Sequence, residues 1–135
     1  MFSRLFNHVN VLQKGVDVAM LRQEVISHNI ANAETPGYKS RHVLFESAFG
    51  NALARRDELA LKTSSSRHFT LADPDPLAVT PLVVSETWHT ARMDGGNVDP
   101  DQEMAELAMN TIQYNTLIEQ LNRELARLKT AIRGQ

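Results

Sequence analysis

The chain has 135 residues, enough for one domain or for one compact element with an extended middle. Its formal net charge of −2 lacks the basic excess expected of a nucleic-acid-binding domain, and aromatics at 6% predict thin packing layers rather than a large core. The absence of cysteine excludes disulfides and thiolate metal sites, and apolar runs of four residues, such as Val18-Ala19-Met20-Leu21, are too short to cross a membrane.

Residues 2 to about 33 read as one helix. Leu5, Val9, Leu12, Val16, Ala19, Ile26 and Ile30 recur at steps of three and four and form a coiled-coil-like seam. Val11, Val18 and Val25 are spaced by seven, with Leu21 beside them. They are expected on the side opposite the seam. An ordinary surface helix has one apolar stripe. A second stripe predicts packing against neighbours on both sides, so these four residues are assigned to contacts with other subunits.

The helix is expected to stop within Ser27–Lys39. Thr35 precedes a proline and is pushed out of the helical region, and Pro36 has no N–H to donate. Pro36-Gly37 fits the centre of a tight turn, with Gly37 supplying positive φ if the turn is type II.

From Ser40 to Val98 periodicity fades. Residues 43–61 are partly helical in composition but interrupted at Gly50-Asn51, and residues 80–88 have room for one short strand. Ser64-Ser65-Ser66, Asp73-Pro74-Asp75-Pro76 and Asp94-Gly95-Gly96-Asn97 are loop and turn signals. So long a stretch without periodicity is uncommon inside a compact domain and points to mostly irregular structure, with at most a small hairpin.

Order returns at Asp99, a good N-cap, followed by Pro100 at the first helical position and Gln102 where a capping-box partner belongs. Met104, Leu107, Thr111, Tyr114, Ile118, Leu121, Leu125, Leu128 and Ile132 then alternate steps of three and four. Asp99, Asp101, Glu103 and Glu106 crowd the start and Arg123, Arg127, Lys129 and Arg133 the end, as the helix dipole favours. Ala105, Met109 and Ile112 form a smaller apolar patch off this seam, and Met109 and Ile112 are also assigned to subunit packing.

Matched lengths and complementary seams predict a mainly α protein. Its N- and C-terminal helices, 1–34 and 99–135, pair as one antiparallel coiled-coil domain, and 35–98 is a turn and irregular segment placed at one end. The intramolecular seam is Leu5, Val9, Leu12, Val16, Ile26 and Ile30 against Leu107, Tyr114, Ile118, Leu121, Leu125 and Leu128. Such a pair alone is marginal, so the subunit is expected to order on assembly.

No catalytic, cofactor or metal constellation is legible. His8, His28, His42, His68 and His89 do not cluster, and Glu24 with His28 reads as a solvated i,i+4 pair. The acids and glycines around residues 94–101 have the wrong spacing for a calcium loop. Ser64–Ser66 lacks the context of a nucleophile.

Two stretches carry a family resemblance: "SHNIANAETPGYKSR" after the first helix, and "GGNVDPDQEMAELAMNTIQYNTLIEQLNRELARLKTAI" at the end. Together they resemble the FlgB family of proximal-rod proteins, within the wider class of flagellar rod and hook axial proteins. Asn29, Ala31, Asn32, Thr35, Pro36, Gly37 and Tyr38 are the motif positions. Glu34 departs mildly from the wider class, which often has Asn or Asp there.

The resemblance implies a non-enzymatic subunit of the flagellar basal-body rod, located in the periplasmic space and exported by the flagellar type III apparatus without a cleaved signal. It implies as partners further copies in a helical assembly, other rod proteins, and the adaptor joining the rod to the MS ring and export gate. No nucleic acid or membrane insertion is expected, and no cofactor. Phe45 and Phe49 look like the Phe-x-x-x-hydrophobic element through which such substrates dock on the export gate; two aromatics one helical turn apart on a packing face is the equal alternative. The rival readings are another axial subunit of rod or hook, and a cytoplasmic coiled-coil adaptor or secretion chaperone.

Overall fold

A computed structural model describes residues 2–55, 75–88, 93 and 95–134, with the side chains of 2–5 and 55 outside the description. The side chain of Leu5 of the expected seam, Ser64–Ser66, His68, Asp73-Pro74, His89 and Asp94 therefore lie outside it. The described elements are α1 (Phe2–Ala31), β1 (Arg41–Leu44), α2 (Glu46–Arg55), a 3₁₀ turn (Pro76–Ala78), β2 (Leu82–Ser85) and α3 (Pro100–Arg133). They fall into two compact units, residues 1–43 with 83–135 and residues 44–82.

In the first unit α1 and α3 pack along their length, giving the mainly helical architecture expected. They are antiparallel. His8 stands 4.0 Å from Glu124, and Asn29 Nδ2 donates to Glu103 Oε1 at 3.0 Å. Between these ends, Leu117 Cδ1 comes within 3.4 Å of where a Cβ on Gly15 would sit, which puts the two residues opposite each other. Asn110 Nδ2 donates to Ala19 O at 2.9 Å.

Three of these contacts, His8 with Glu124, Gly15 with Leu117 and Asn29 with Glu103, lie on rows of seven-residue spacing. On α1, His8, Gly15, Arg22 and Asn29 alternate with Leu12, Ala19 and Ile26, with Ala33 just past its end; on α3, Glu103, Asn110, Leu117 and Glu124 alternate with Leu107, Tyr114, Leu121 and Leu128. Leu12, Val16, Ala19, Ile26 and Ala33 are buried, and Val9 and Ile30 half-buried. Leu107, Tyr114, Ile118, Leu121 and Leu128 are half-buried.

Two expectations require correction. First, Val18 and Val25 are not on a free face: they are 3% and 7% exposed within the single chain, and Val11 and Leu21 are half-buried. At about 100° per residue, Val18 is one step from Ala19. The buried positions from Val25 through Asn29, Ile26 and Ala19 to Val16 then form one arc of roughly 180° rather than two opposed stripes, which removes the ground for expecting the subunit to order only on assembly. Second, Leu125 is exposed, as are Met104, Thr111 and Ile132. The face that α3 turns to α1 is shifted by one residue, onto the row of Glu103, Asn110, Leu117 and Glu124. Polar partners for two of these, Asn29 and the Ala19 carbonyl, make that rotation tolerable. Leu125 instead lines an open apolar cleft of about 500 Å³ with Phe6, Leu128 and Ile132.

β1 and β2 form a two-stranded sheet. The Glu86 N–H donates to Ser40 O at 2.9 Å, just beyond the paired ends, so the strands run antiparallel. They are separated by 37 residues, so the sheet is not the small hairpin for which the sequence left room. In the second unit α2 runs unbroken through Gly50-Asn51, where an interruption was expected, and Phe45 and Phe49 stack with centroids 4.9 Å apart.

Candidate functional site

The family-motif residues build a joint where α1 ends and α3 begins. α1 stops at Ala31, and Asn32 folds back on it, its Nδ2 donating to His28 O at 2.8 Å. The Thr35 N–H donates to Asn32 O at 2.9 Å. The Tyr38 N–H then donates to Thr35 O at 3.2 Å, closing a four-residue turn across Pro36-Gly37. Gly37 has φ of 73°, the left-handed value that a type II turn needs at its third position. Gly95 (φ 85°) lies against this turn, and a Cβ on it would lie 3.7 Å from Gly37 Cα. Ala31, Thr35, Pro36 and Gly37 are exposed, while Asn32 and Tyr38 are half-buried.

Asn29 is the centre of the joint and is fully buried at 0% exposure. Its Nδ2 donates to Arg41 O at 2.8 Å and to Glu103 Oε1 at 3.0 Å. Its Oδ1 accepts from the Arg41 N–H at 3.0 Å and from the Tyr38 hydroxyl at 3.3 Å. A carboxamide offers two donors and two acceptor sites, so every one is used. One side chain thus ties the end of α1 to the chain leaving the turn, to β1 and to the first turn of α3. Leucine or alanine at this position would leave those groups without partners.

Asn97 plays a parallel role on the other side. Its Oδ1 accepts from the Ser40 N–H at 2.7 Å and its Nδ2 donates to Glu86 O at 3.0 Å. Two residues later Asp99 caps α3, accepting from the N–H groups of Asp101 (3.0 Å) and Gln102 (3.5 Å), with Pro100 at the first helical position as expected. Gln102 does not close a capping box; its Nε2 donates to Glu106 Oε1 instead.

Ser40, His42 and Glu86 also meet here, with Ser40 Oγ 3.4 Å and Glu86 Oε2 3.3 Å from His42 Nε2. This is not a nucleophile relay. A relay needs the hydroxyl on one ring nitrogen and the carboxylate on the other, whereas both partners here address Nε2. Among the described residues, no three His, Cys, Asp or Glu side chains stand close enough to hold a metal. Glu24 and His28 form the exposed i,i+4 pair expected, 3.9 Å apart.

Glu103 is the unusual acid of the joint. It is 4% exposed, its Oε2 is buried without a hydrogen-bond partner, and burial raises its carboxyl above the usual range of about 4.5. The Asn29 hydrogen bond opposes that rise, Glu106 adds to it and His42 lowers it.

The opposite face of α3 is uncovered. Met104 is 58%, Met109 63% and Ile112 68% exposed, and Ala105 is exposed beside them. On the helix, Ala105, Met109 and Ile112 lie roughly 150° away from the row that meets α1. Of the six residues assigned to subunit packing, only Met109 and Ile112 stand on such a face.

Sequence reasoning missed Glu103, Asn110, Asn97 and Glu86. The first two sit three and four residues from apolar seam positions, and that spacing was a usable signal. Glu86 is far from Ser40 in the chain and gave none, and Asn97 was legible only as part of a turn and of the family stretch.

Residues 13–39 match the family model described as "Flagella basal body rod protein". The chain is 36% identical over 123 residues to "Flagellar basal body rod protein FlgB" of Bacillus subtilis (strain 168), covering 91% of each chain. It is 35% identical to the protein so named from Aeromonas hydrophila, over 91% of this chain and 90% of that one. With its namesake from Salmonella typhimurium it shares 30% identity over 99% of both.

Proposed function

The chain belongs to the FlgB family of flagellar basal body rod proteins, structural and non-catalytic, and from that premise we propose how it builds the rod. It polymerises through its terminal helices, paired as an antiparallel coiled coil, into the proximal part of the axial drive shaft. The uncovered outer face of α3 carries this reading. Met109 and Ile112 expose apolar surface along a helix of 34 residues, about 51 Å long. Contacts between unlike faces of identical subunits generate an open helical array when the rotation does not close.

The joint supports the same reading. Asn29 and the Thr35–Tyr38 turn fix the direction in which the chain leaves the helical pair, so the surface offered to a neighbour is preset. Asn32 and Ala31 complete the helix end that makes that direction reproducible. Further copies, other rod proteins and the adaptor between the rod and the MS ring are the partners that such a surface serves.

Export through the flagellar type III apparatus completes the proposal, with Phe45 and Phe49 as the element read at the gate. Phe45 is 6% exposed and stacked on Phe49, so recognition there engages the chain before α2 folds.

The test is Met109→Asp with Ile112→Asp. Both positions are exposed, so the purified double variant keeps its helical circular dichroism while losing co-fractionation with basal bodies. Motile cells whose basal bodies contain the double variant would overturn the proposal.

A further inference from the structure

Glu103 sits in the first turn of α3, where the helix dipole favours an acid, yet it is buried. It occupies the heptad row that faces α1, directly across from Asn29, in the first turn of α3. Oε1 accepts from Asn29, and Oε2 is enclosed with nothing to bond. Enclosing an oxygen with no partner costs free energy in either form, and far more for the carboxylate than for the neutral acid. Asn29 spends its remaining three bonds on Arg41 and Tyr38, so whatever happens at Glu103 is felt by the strand and the turn.

We propose that Glu103 and Asn29 form a pH-dependent clasp between the terminal helices, closed when Glu103 is neutral and loosened when it ionises. Ionisation draws water to Oε2, and the way in is between the first turn of α3 and the end of α1. The joint of α1, β1 and α3 opens locally while the remainder of the pair stays packed.

The groups facing Glu103 set the sign. From α1 comes only the uncharged amide of Asn29, whose donor favours the anion. From β1 comes His42, itself 3.3 Å from Glu86, which also favours the anion when protonated. From α3 comes Glu106, which opposes it. Tyr38 and Arg41 act on Asn29 and not on the carboxyl, Arg41 through its main chain. Burial outweighs the two favourable contacts and the favourable N-terminus of α3, so the folded protein holds this proton more tightly than the unfolded chain does. The stabilisation is complete below the ordinary carboxyl value of about 4.5 and is lost as pH rises from there through the folded value.

The direct test is carbon NMR of the Glu103 side-chain carboxyl in the intact wild-type chain, with amide exchange at Asn29 and Arg41 followed in parallel. The carboxyl is expected to titrate above the other glutamates. Protection at the two amides, corrected for intrinsic exchange, is expected to fall by up to about tenfold per pH unit within that window, the limit for one proton. Glu103→Gln removes the dependence, and His42→Gln leaves it in place. A Glu103 titration at or below the ordinary glutamate value overturns the clasp. So does a pH profile of amide protection shared by wild type and Glu103→Gln. None of these readouts involves rod assembly, so their failure leaves the proposed polymerisation untouched.

Discussion

Truncating Asn29 to alanine is the sharpest perturbation of the joint. The substitution is on a helix and favours it by propensity, so any loss comes from the hydrogen bonds. Four are removed at once: two to the Arg41 main chain, one to Glu103 and one from Tyr38. A buried polar group left without a partner costs about 1–3 kcal/mol. Arg41 is exposed, and water reaches its main chain in part, so its two groups belong at the lower end. Glu103, at 4% exposure, loses its one hydrogen bond to Asn29 and belongs mid-range. The expected loss is about 4 kcal/mol, or roughly 15 °C in Tm for a chain of this length. Thermal and urea unfolding followed by circular dichroism measures it. A loss below about 1 kcal/mol, the scale of an ordinary surface asparagine, refutes the node. Asn29→Asp separates hydrogen bonding from size: it sets a second carboxylate against Glu103 and should be at least as destabilising at pH 7, with partial recovery in acid.

Val18→Asp tests the corrected packing of α1. At 3% exposure the carboxylate has no way to water, so the monomer should lose several kcal/mol and its cooperative melt; a well-folded monomer that fails only to assemble would restore the outward stripe. Gly37→Val should cost about 1–2 kcal/mol from backbone strain alone, since φ is 73° and nothing lies within 4 Å of the added Cβ. An unchanged melting point would show that the turn relaxes without strain. Gly15→Ala should stabilise by up to about 1 kcal/mol through helix propensity, its Cβ meeting the flexible end of Leu117 at 3.4 Å. Destabilisation there would mean that the helices cannot give by a few tenths of an ångström.

The elements most legible in the sequence are those with local causes. Asp99 and Pro100 start α3 because their chemistry acts within one turn, and Pro36-Gly37 ends α1 for the same reason. The pairing of the two helices is legible from matched apolar rows. Its rotation is not. A search for apolar periodicity passes over Glu103, Asn110, Gly15 and Asn29 and settles on Met104, Thr111 and Leu125, one residue away. Glu103 and Asn110 enter the interface through partners on α1, the Asn29 amide and the Ala19 carbonyl, and that partnership is a tertiary fact. The family motif flagged Asn29 without revealing its four bonds, because Arg41 and Glu103 become neighbours only in the folded chain. The pairing of β1 with β2 is hidden for the same reason: Ser40, Glu86 and Asn97 carry no shared period.

Assembly through the outer face of α3 is tested most directly by a photo-crosslinking residue at Ile112, activated in intact basal bodies. The account predicts an adduct between this chain and a neighbouring axial subunit, and none from the same probe at Val18. Basal bodies that contain the Ile112 probe yet give no intersubunit adduct on activation would contradict it.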